Sequence, residues 1–149
     1  MTREELTEKI VAYKTLNGKK WSEIAEAVGQ SKEWTTAALL GQISLTKEQA
    51  EKAGAAIGIN FSEEEIAQLM TVPYRGSLPS SVPTDPLIYR LYEIVMVYGT
   101  TMKGLIEEEF GDGIMSAIDF DMDITRIPDP KGDRVQVTMS GKFLPYKSY

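Results

Sequence analysis

The chain has 149 residues, of which 42% are hydrophobic, and its 22 acidic and 16 basic residues give a net charge of −6. This length corresponds to one domain or two small ones, and an acidic chain without a basic region repels the phosphate backbone of nucleic acids. The absence of cysteine and histidine excludes a disulfide framework, a zinc site built on either residue, and Ser-His-Asp or Cys-His nucleophile systems.

Residues 2–73 are predicted to form a bundle of short helices, because their apolar residues recur at helical spacing. Asn17-Gly18 and Gly29 are predicted to end the first two helices, since glycine readily adopts the left-handed conformation found after a helix. Ser31 and Thr46 are predicted to cap the next two, because their side chains can accept a backbone N–H of the first turn.

The N-terminal segment MTREELTEKIVAYK is charged and amphipathic and lacks the apolar centre of a signal peptide. No stretch approaches the ~18 apolar residues of a transmembrane helix. We therefore expect a cytoplasmic protein that does not enter a membrane.

Residues 22–41 have the spacing of a helix-turn-helix, with Ala25 followed four residues later by Gly29. The second helix of that motif would be SKEWTTAALLGQ, which offers a single lysine beside a glutamate and few side chains that read base edges. DNA binding stays open as an alternative, but a helical bundle with the packing of a repressor domain is the favoured interpretation.

Residues 74–86 are rich in proline, serine and glycine and are predicted to be a linker, which gives domains at 1–75 and 76–149. In the second domain we predict a helix over 87–98 that ends at Gly99, and a short helix that ends at Phe110. Alternating residues then predict two antiparallel strands, with Ser140-Gly141 as a turn. The expected fold class is α+β, with an all-α N-terminal bundle and a small C-terminal α+β domain.

Asp119, Asp121 and Asp123 alternate with apolar residues along the first of these strands. A calcium loop would need a glycine at its sixth position, where Ile124 stands. The three acids are therefore interpreted as the solvated face of a strand, and no metal site is predicted.

The helix from residue 87 is apolar except for Arg90 and Glu93, which lie three residues apart and share one side of it. A helix that is apolar all round must be covered, and a unit of this size cannot cover it alone, so we predict an oligomer with intertwined C-terminal parts. The paired charges fit a site for a small anion, in which arginine offers a planar fork to the ligand. An ordinary ion pair at the interface remains the alternative.

The region PTDPLIYRLYEIVMVYGTTMKGLIEEEFGDGIMSAIDF resembles the signature region of the cyanases, also called cyanate hydratases or cyanate lyases. The resemblance extends to WSEIA near the N-terminus and to GKFLPY near the C-terminus. Its matching pieces are Tyr89-Arg90, Tyr92-Glu93, Val97-Tyr98-Gly99-Thr100, Phe110-Gly111-Asp112-Gly113-Ile114 and Ser116-Ala117-Ile118.

The resemblance implies an enzyme that converts cyanate and bicarbonate to carbamate and carbon dioxide, after which carbamate decomposes to ammonia and carbon dioxide. It implies a catalytic triad of Arg90, Glu93 and Ser116, with no metal or organic cofactor. It also implies a homodecamer of five intertwined dimers with active sites between subunits. The alternatives are a helix-turn-helix regulator whose C-terminal part only dimerises, and an anion-binding module without turnover.

Overall fold

The computed structural model describes residues 1–148, and it divides the chain into two compact units that meet in sequence between Ser77 and Leu78. The first unit contains five helices among the described residues and the second contains one long helix and a β-hairpin. In chain order the elements are α1 (Arg3–Leu16), α2 (Trp21–Val28), α3 (Lys32–Leu39), α4 (Lys47–Ile57), α5 (Glu63–Met70), α6 (Pro86–Phe110), β1 (Gly113–Ile127) and β2 (Arg134–Pro145).

Local capping interactions set the helix ends of the N-terminal unit, and several of the predicted caps are confirmed. The side chains of Ser31, Thr46 and Ser62 each accept the backbone N–H of the residue three positions later. Gly29 follows α2 in the left-handed conformation, with φ of 84°. These bonds satisfy backbone groups that a helix end leaves without partners.

The core of the N-terminal unit is formed by apolar side chains from all five of its helices. The largest residues with no exposed surface are Leu6, Ile10, Ile24, Leu39, Ile57 and Leu69. At its edge the ammonium of Lys9 on α1 lies 2.5 Å from Oε1 of Glu65 on α5. This unit therefore has a complete hydrophobic core of its own.

The helix of the C-terminal unit is longer than predicted, because α6 continues through Gly99 to Phe110. The prediction that Gly99 ends a helix was wrong. A glycine inside a helix costs only about 1 kcal/mol relative to alanine, and twenty-four other helical residues offset that cost. Gly99 also does not adopt the left-handed conformation that is common for a glycine just after a helix end.

The second correction concerns Ser140-Gly141, which is not a turn but part of the continuous strand β2. The two strands pair antiparallel with Met115 opposite Phe143 and Phe120 opposite Gly141. Residues 116–119 of β1 therefore face a single residue of β2, which makes a large β-bulge. Ile118 lies in this bulge, outside the ladder that begins again at Phe120.

The apolar side chains of the C-terminal unit remain uncovered in the single chain. No residue of α6 is buried, and of the described residues of the hairpin only Ser116 is. Large apolar residues such as Leu91, Val95 and Leu105 on α6 and Val137 on β2 are exposed. Among residues 1–148, no helix is both long and apolar enough to cross a membrane.

Candidate active site

The start of α6 fixes where its two central charges lie. Oδ1 of Asp85 accepts the backbone N–H groups of Leu87 and Ile88, at 2.9 and 3.0 Å, and Pro86 occupies the first helical position. Proline is favoured there because its fixed φ suits a helix and no N–H is needed. Arg90 and Glu93 consequently follow in the first turns of a well-capped helix, on one side of it.

Arg90 and Glu93 are both exposed in the single chain. The guanidinium carbon of Arg90 lies 5.6 Å from the ring centroid of Tyr89, a cation–π contact, and the rings of Tyr89 and Tyr92 are 6.2 Å apart. Within residues 1–148, neither a hydrogen bond nor an ion pair joins Arg90 to Glu93. The guanidinium fork therefore remains available to a ligand.

Ser116 is in a very different environment, since it lies in the β-bulge and is only 5% exposed. Its Oγ accepts the backbone N–H of Ile118 at 3.0 Å and that of Asp119 at 2.9 Å. A serine hydroxyl has two acceptor lone pairs and one donor hydrogen. Both acceptor positions are thus used by the bulge, and the remaining capacity of the hydroxyl is to donate.

The three predicted residues belong to the same unit but to different elements of it, since Arg90 and Glu93 lie on α6 and Ser116 lies on β1. No hydrogen bond or ion pair among residues 1–148 joins Ser116 to Arg90 or Glu93. The aromatic contact between α6 and the hairpin is at the far end of α6, where the rings of Phe110 and Phe143 lie 5.2 Å apart.

Asp119, Asp121 and Asp123 lie along β1, and in residues 1–148 no group of three His, Cys, Asp or Glu side chains is arranged to hold a metal ion. The strand conformation separates successive side chains and turns them to alternating faces. Asp121 and Asp123 therefore share one face of the ladder, whereas Asp119 belongs to the β-bulge. All three are exposed, as the interpretation of these acids as a solvated face predicts.

Sequence reasoning missed the β-bulge and the two backbone N–H groups that hold the Ser116 hydroxyl. Two signals were present in the sequence. Ala117 and Ile118 are adjacent and both apolar, which interrupts the alternation of β1. Gly141 lies within β2, and an isolated glycine in a strand often marks a bulge or a close approach of two backbones.

Comparison with known proteins covers both units. The family model of the cyanate hydratase N-terminal region matches residues 3–73, and that of the cyanate lyase C-terminal domain matches residues 80–148. The chain belongs to the cyanate hydratase family. The predicted resemblance is thereby confirmed, and all three candidate site residues lie in the region that matches the C-terminal domain.

Relatives in the cyanate hydratase family match this chain from end to end. The protein named cyanate hydratase in Ralstonia pickettii (strain 12J) is 64% identical over 149 residues, which is 100% of both chains. Its namesake in Methylibium petroleiphilum (strain ATCC BAA-1232 / LMG 22953 / PM1) is 66% identical over the same full lengths. Relatives named cyanate hydratase therefore match every part of the chain.

The crystal structure of cyanase from T. urticae aligns with a TM-score of 0.80 and 37% identity, over 95% of this chain and 97% of that chain. This match confirms the predicted α+β fold class. It also confirms an N-terminal helical part, so the helix-turn-helix spacing of α2 and α3 occurs here within an enzyme family.

Proposed function

We propose that this chain is a cytoplasmic cyanate hydratase that decomposes cyanate in a bicarbonate-dependent reaction, with Arg90, Glu93 and Ser116 as its catalytic residues. The observation that carries the proposal is the 64% identity to a cyanate hydratase over the full length of both chains. The family resemblance supports a reaction that uses neither a metal nor an organic cofactor. Decomposition of cyanate does not involve DNA, so we propose no nucleic-acid partner.

The reaction consumes protons in two steps. Cyanate, bicarbonate and one proton give carbamate and carbon dioxide, when an oxygen of bicarbonate bonds to the cyanate carbon and that adduct then loses carbon dioxide. Carbamate and a second proton give ammonia and a second carbon dioxide. The overall balance is one ammonia, two molecules of carbon dioxide and two protons removed from solution for each cyanate consumed.

The main physical obstacle is that two small anions repel one another. A guanidinium that faces them supplies a full positive charge and a planar pair of donors. Arg90 suits this role, since it is exposed and has no ion-pair partner among residues 1–148. Ser116 supplies a donor whose position is fixed before substrate arrives, because Ile118 and Asp119 already hold its oxygen. Donors that are fixed in advance stabilise developing charge without reorganisation during the reaction.

Ser116 acts in this proposal as a hydrogen-bond donor and not as a nucleophile. Histidine is the base that most often activates a serine nucleophile, and the chain contains no histidine. Its oxygen lone pairs are also directed at two backbone N–H groups. Glu93 positions the guanidinium of Arg90, a contact that we expect to form when the site is assembled.

We further propose that the site lies between copies of this chain. The uncovered apolar side chains of α6 and of the hairpin support a second copy as the occupant of these faces, because an exposed apolar surface of this extent is typical of an interface. The family resemblance supports intertwined dimers, five of which form a decamer. Arg90 and Glu93 of one chain would then meet Ser116 of another.

The direct test is to measure ammonia released from cyanate with and without bicarbonate. We expect turnover only with both substrates, and a loss of at least about 100-fold in Arg90→Ala, Glu93→Ala and Ser116→Ala variants that still assemble. Arg75→Ala is the matched control, since Arg75 is exposed and lies in the N-terminal unit. Binding of cyanate without turnover would favour the anion-binding module, and salt-dependent DNA binding would favour the regulator.

A further inference from the structure

The backbone of β2 passes unusually close to the peptide of Ser116. A Cβ atom added to Gly141 would lie 2.3 Å from the carbonyl oxygen of Ser116 and 2.6 Å from Cγ of Met115. Ordinary van der Waals contacts of a Cβ begin near 3.4 Å. Any side chain at position 141 would therefore have to displace the backbone of β1 at the candidate catalytic serine.

The need for glycine at this position is one of space and not of backbone conformation. The φ of Gly141 is not positive, so its backbone conformation is open to any residue. Gly132, in the loop between the strands, is the opposite case: its φ is 124° and no atom lies near its missing Cβ. At Gly141 it is contact with β1 that excludes a side chain.

This contact lies at the edge of the β-bulge that holds the Ser116 hydroxyl. Residues 116–119 form the bulge, and Gly141 pairs with Phe120, the first residue after it. The carbonyl that Gly141 touches and the hydroxyl that accepts from Ile118 and Asp119 belong to the same residue. A displacement of that peptide would carry the hydroxyl with it.

We propose that Gly141 is a positioning residue for the reaction, because its lack of a side chain lets β2 set the place of the Ser116 hydroxyl. The inference rests on the proposed role of Ser116 as a donor. Relief of the Gly141→Ala contact requires a shift of about 1 Å, and a misplacement of that size can cost up to ~100-fold in rate. We therefore expect kcat of Gly141→Ala to fall by about 10- to 100-fold while the oligomer persists.

Gly113→Ala is a closely matched control in the same hairpin. Its added Cβ would lie 2.4 Å from the carbonyl oxygen of Leu144 and 2.5 Å from the ring of Phe143, and its φ is not positive. It thus produces a backbone clash of nearly equal severity that does not involve Ser116. We expect Gly113→Ala to lower stability as much as Gly141→Ala does. It should nevertheless keep kcat within about 3-fold of the unmodified enzyme, since only the clash at Gly141 displaces Ser116.

A double-mutant cycle separates a positioning role from a structural one. If Gly141 acts through the Ser116 hydroxyl, Gly141→Ala should change the residual kcat of Ser116→Ala by less than about 2-fold. Met115→Ala combined with Gly141→Ala removes the clash with the flexible side chain and leaves the clash with the Ser116 carbonyl. Gly141→Ala should therefore lower kcat by the same factor in the Met115→Ala background as it does in the unmodified enzyme.

Four results would overturn the inference. The first is a kcat of Gly141→Ala within about 2-fold of the unmodified enzyme, and the second is an equal fold loss of kcat when Gly141→Ala is added to Ser116→Ala. The third is recovery of kcat in Gly141→Ala when Met115 is also truncated. The fourth is failure of Gly141→Ala to assemble under conditions where Gly113→Ala assembles. The last would make the glycine a requirement of the hairpin itself. Full activity of Ser116→Ala would instead refute the proposed function of the serine, and is measured in the same series.

Discussion

Truncation of Leu105 tests whether α6 is an interface without touching the candidate site. Leu105 lies fifteen residues after Arg90, about 22 Å along the helix axis. It is 62% exposed in the single chain. Full burial of a leucine stabilises by about 1.5–3 kcal/mol, so a partner that covers this exposed part gains about 1–2 kcal/mol for each chain.

Leu105→Ala should therefore weaken association by about 5- to 30-fold for each chain whose Leu105 the interface covers. Leu105→Asp should weaken it further, because assembly would then bury an unpaired carboxylate. Mass photometry and light scattering over a dilution series report the assembled fraction, and ammonia release measured on the same samples reports turnover.

The expected outcome is that activity falls in proportion to the assembled fraction, with an unchanged rate for each assembled site. Leu16→Ala is the control, since Leu16 is 80% exposed but lies at the end of α1 in the N-terminal unit. A dissociated Leu105→Asp chain with full activity would refute the reasoning, as would Leu105 variants that associate as tightly as the unmodified chain.

Three further predictions concern single side chains. A hydrogen bond from Lys9 lowers the pKa of Glu65, so the charged pair stabilises the fold above the usual carboxyl pKa and this effect is lost as pH falls through the lowered value. In urea unfolding, Glu65→Gln should lower the free energy of unfolding by about 1–3 kcal/mol at pH 7 and by progressively less toward pH 3. The control Glu48→Gln, at an exposed position, should change it little. Thr35→Val should stabilise the N-terminal unit by about 1 kcal/mol in the same assay, because Oγ1 of Thr35 is buried and has no hydrogen-bond partner among the described residues. A destabilised Thr35→Val variant would contradict this prediction. Arg90→Lys should keep the charge but lose the planar fork, and kcat/KM for cyanate should fall by about 100-fold; a loss under 3-fold would exclude a bidentate role.

Local signals predicted the N-terminal unit well. The caps at Ser31 and Thr46 depend on a hydrogen bond to a residue three positions away, so both partners can be read from a short segment. The helix end at Gly29 depends only on the conformation of that glycine. Each of these features is decided within one turn of the chain, which is why the sequence was sufficient.

Features that depend on distant residues were predicted less well. Whether Gly99 ends a helix depends on how the whole of α6 is stabilised, and its local preference against helix is too small to decide. The bulge at Ser116 depends on the register with β2, about twenty-five residues further on, and alternation within one strand does not reveal it. The misassigned turn at Ser140-Gly141 has the same origin.

The candidate site combines features that the sequence predicted with one that depends on the folded backbone. The family motif gave Arg90, Glu93 and Ser116 directly, and their roles remain predictions. Physical reasoning from the sequence explained why a charged pair in an apolar helix points to an anion and to an oligomer. The way in which Ile118 and Asp119 orient the Ser116 hydroxyl required the structure, because it depends on a backbone arrangement that no residue type specifies.

The most direct test of a site shared between chains is complementation between two inactive variants. Arg90→Ala and Ser116→Ala chains, co-expressed with different tags and purified as mixed oligomers, should recover activity at about one site in four if the two residues come from different chains. Arg90→Ala mixed with Glu93→Ala should recover none, because both residues lie on α6 of the same chain. Mixed oligomers of Arg90→Ala and Ser116→Ala without activity would contradict the account.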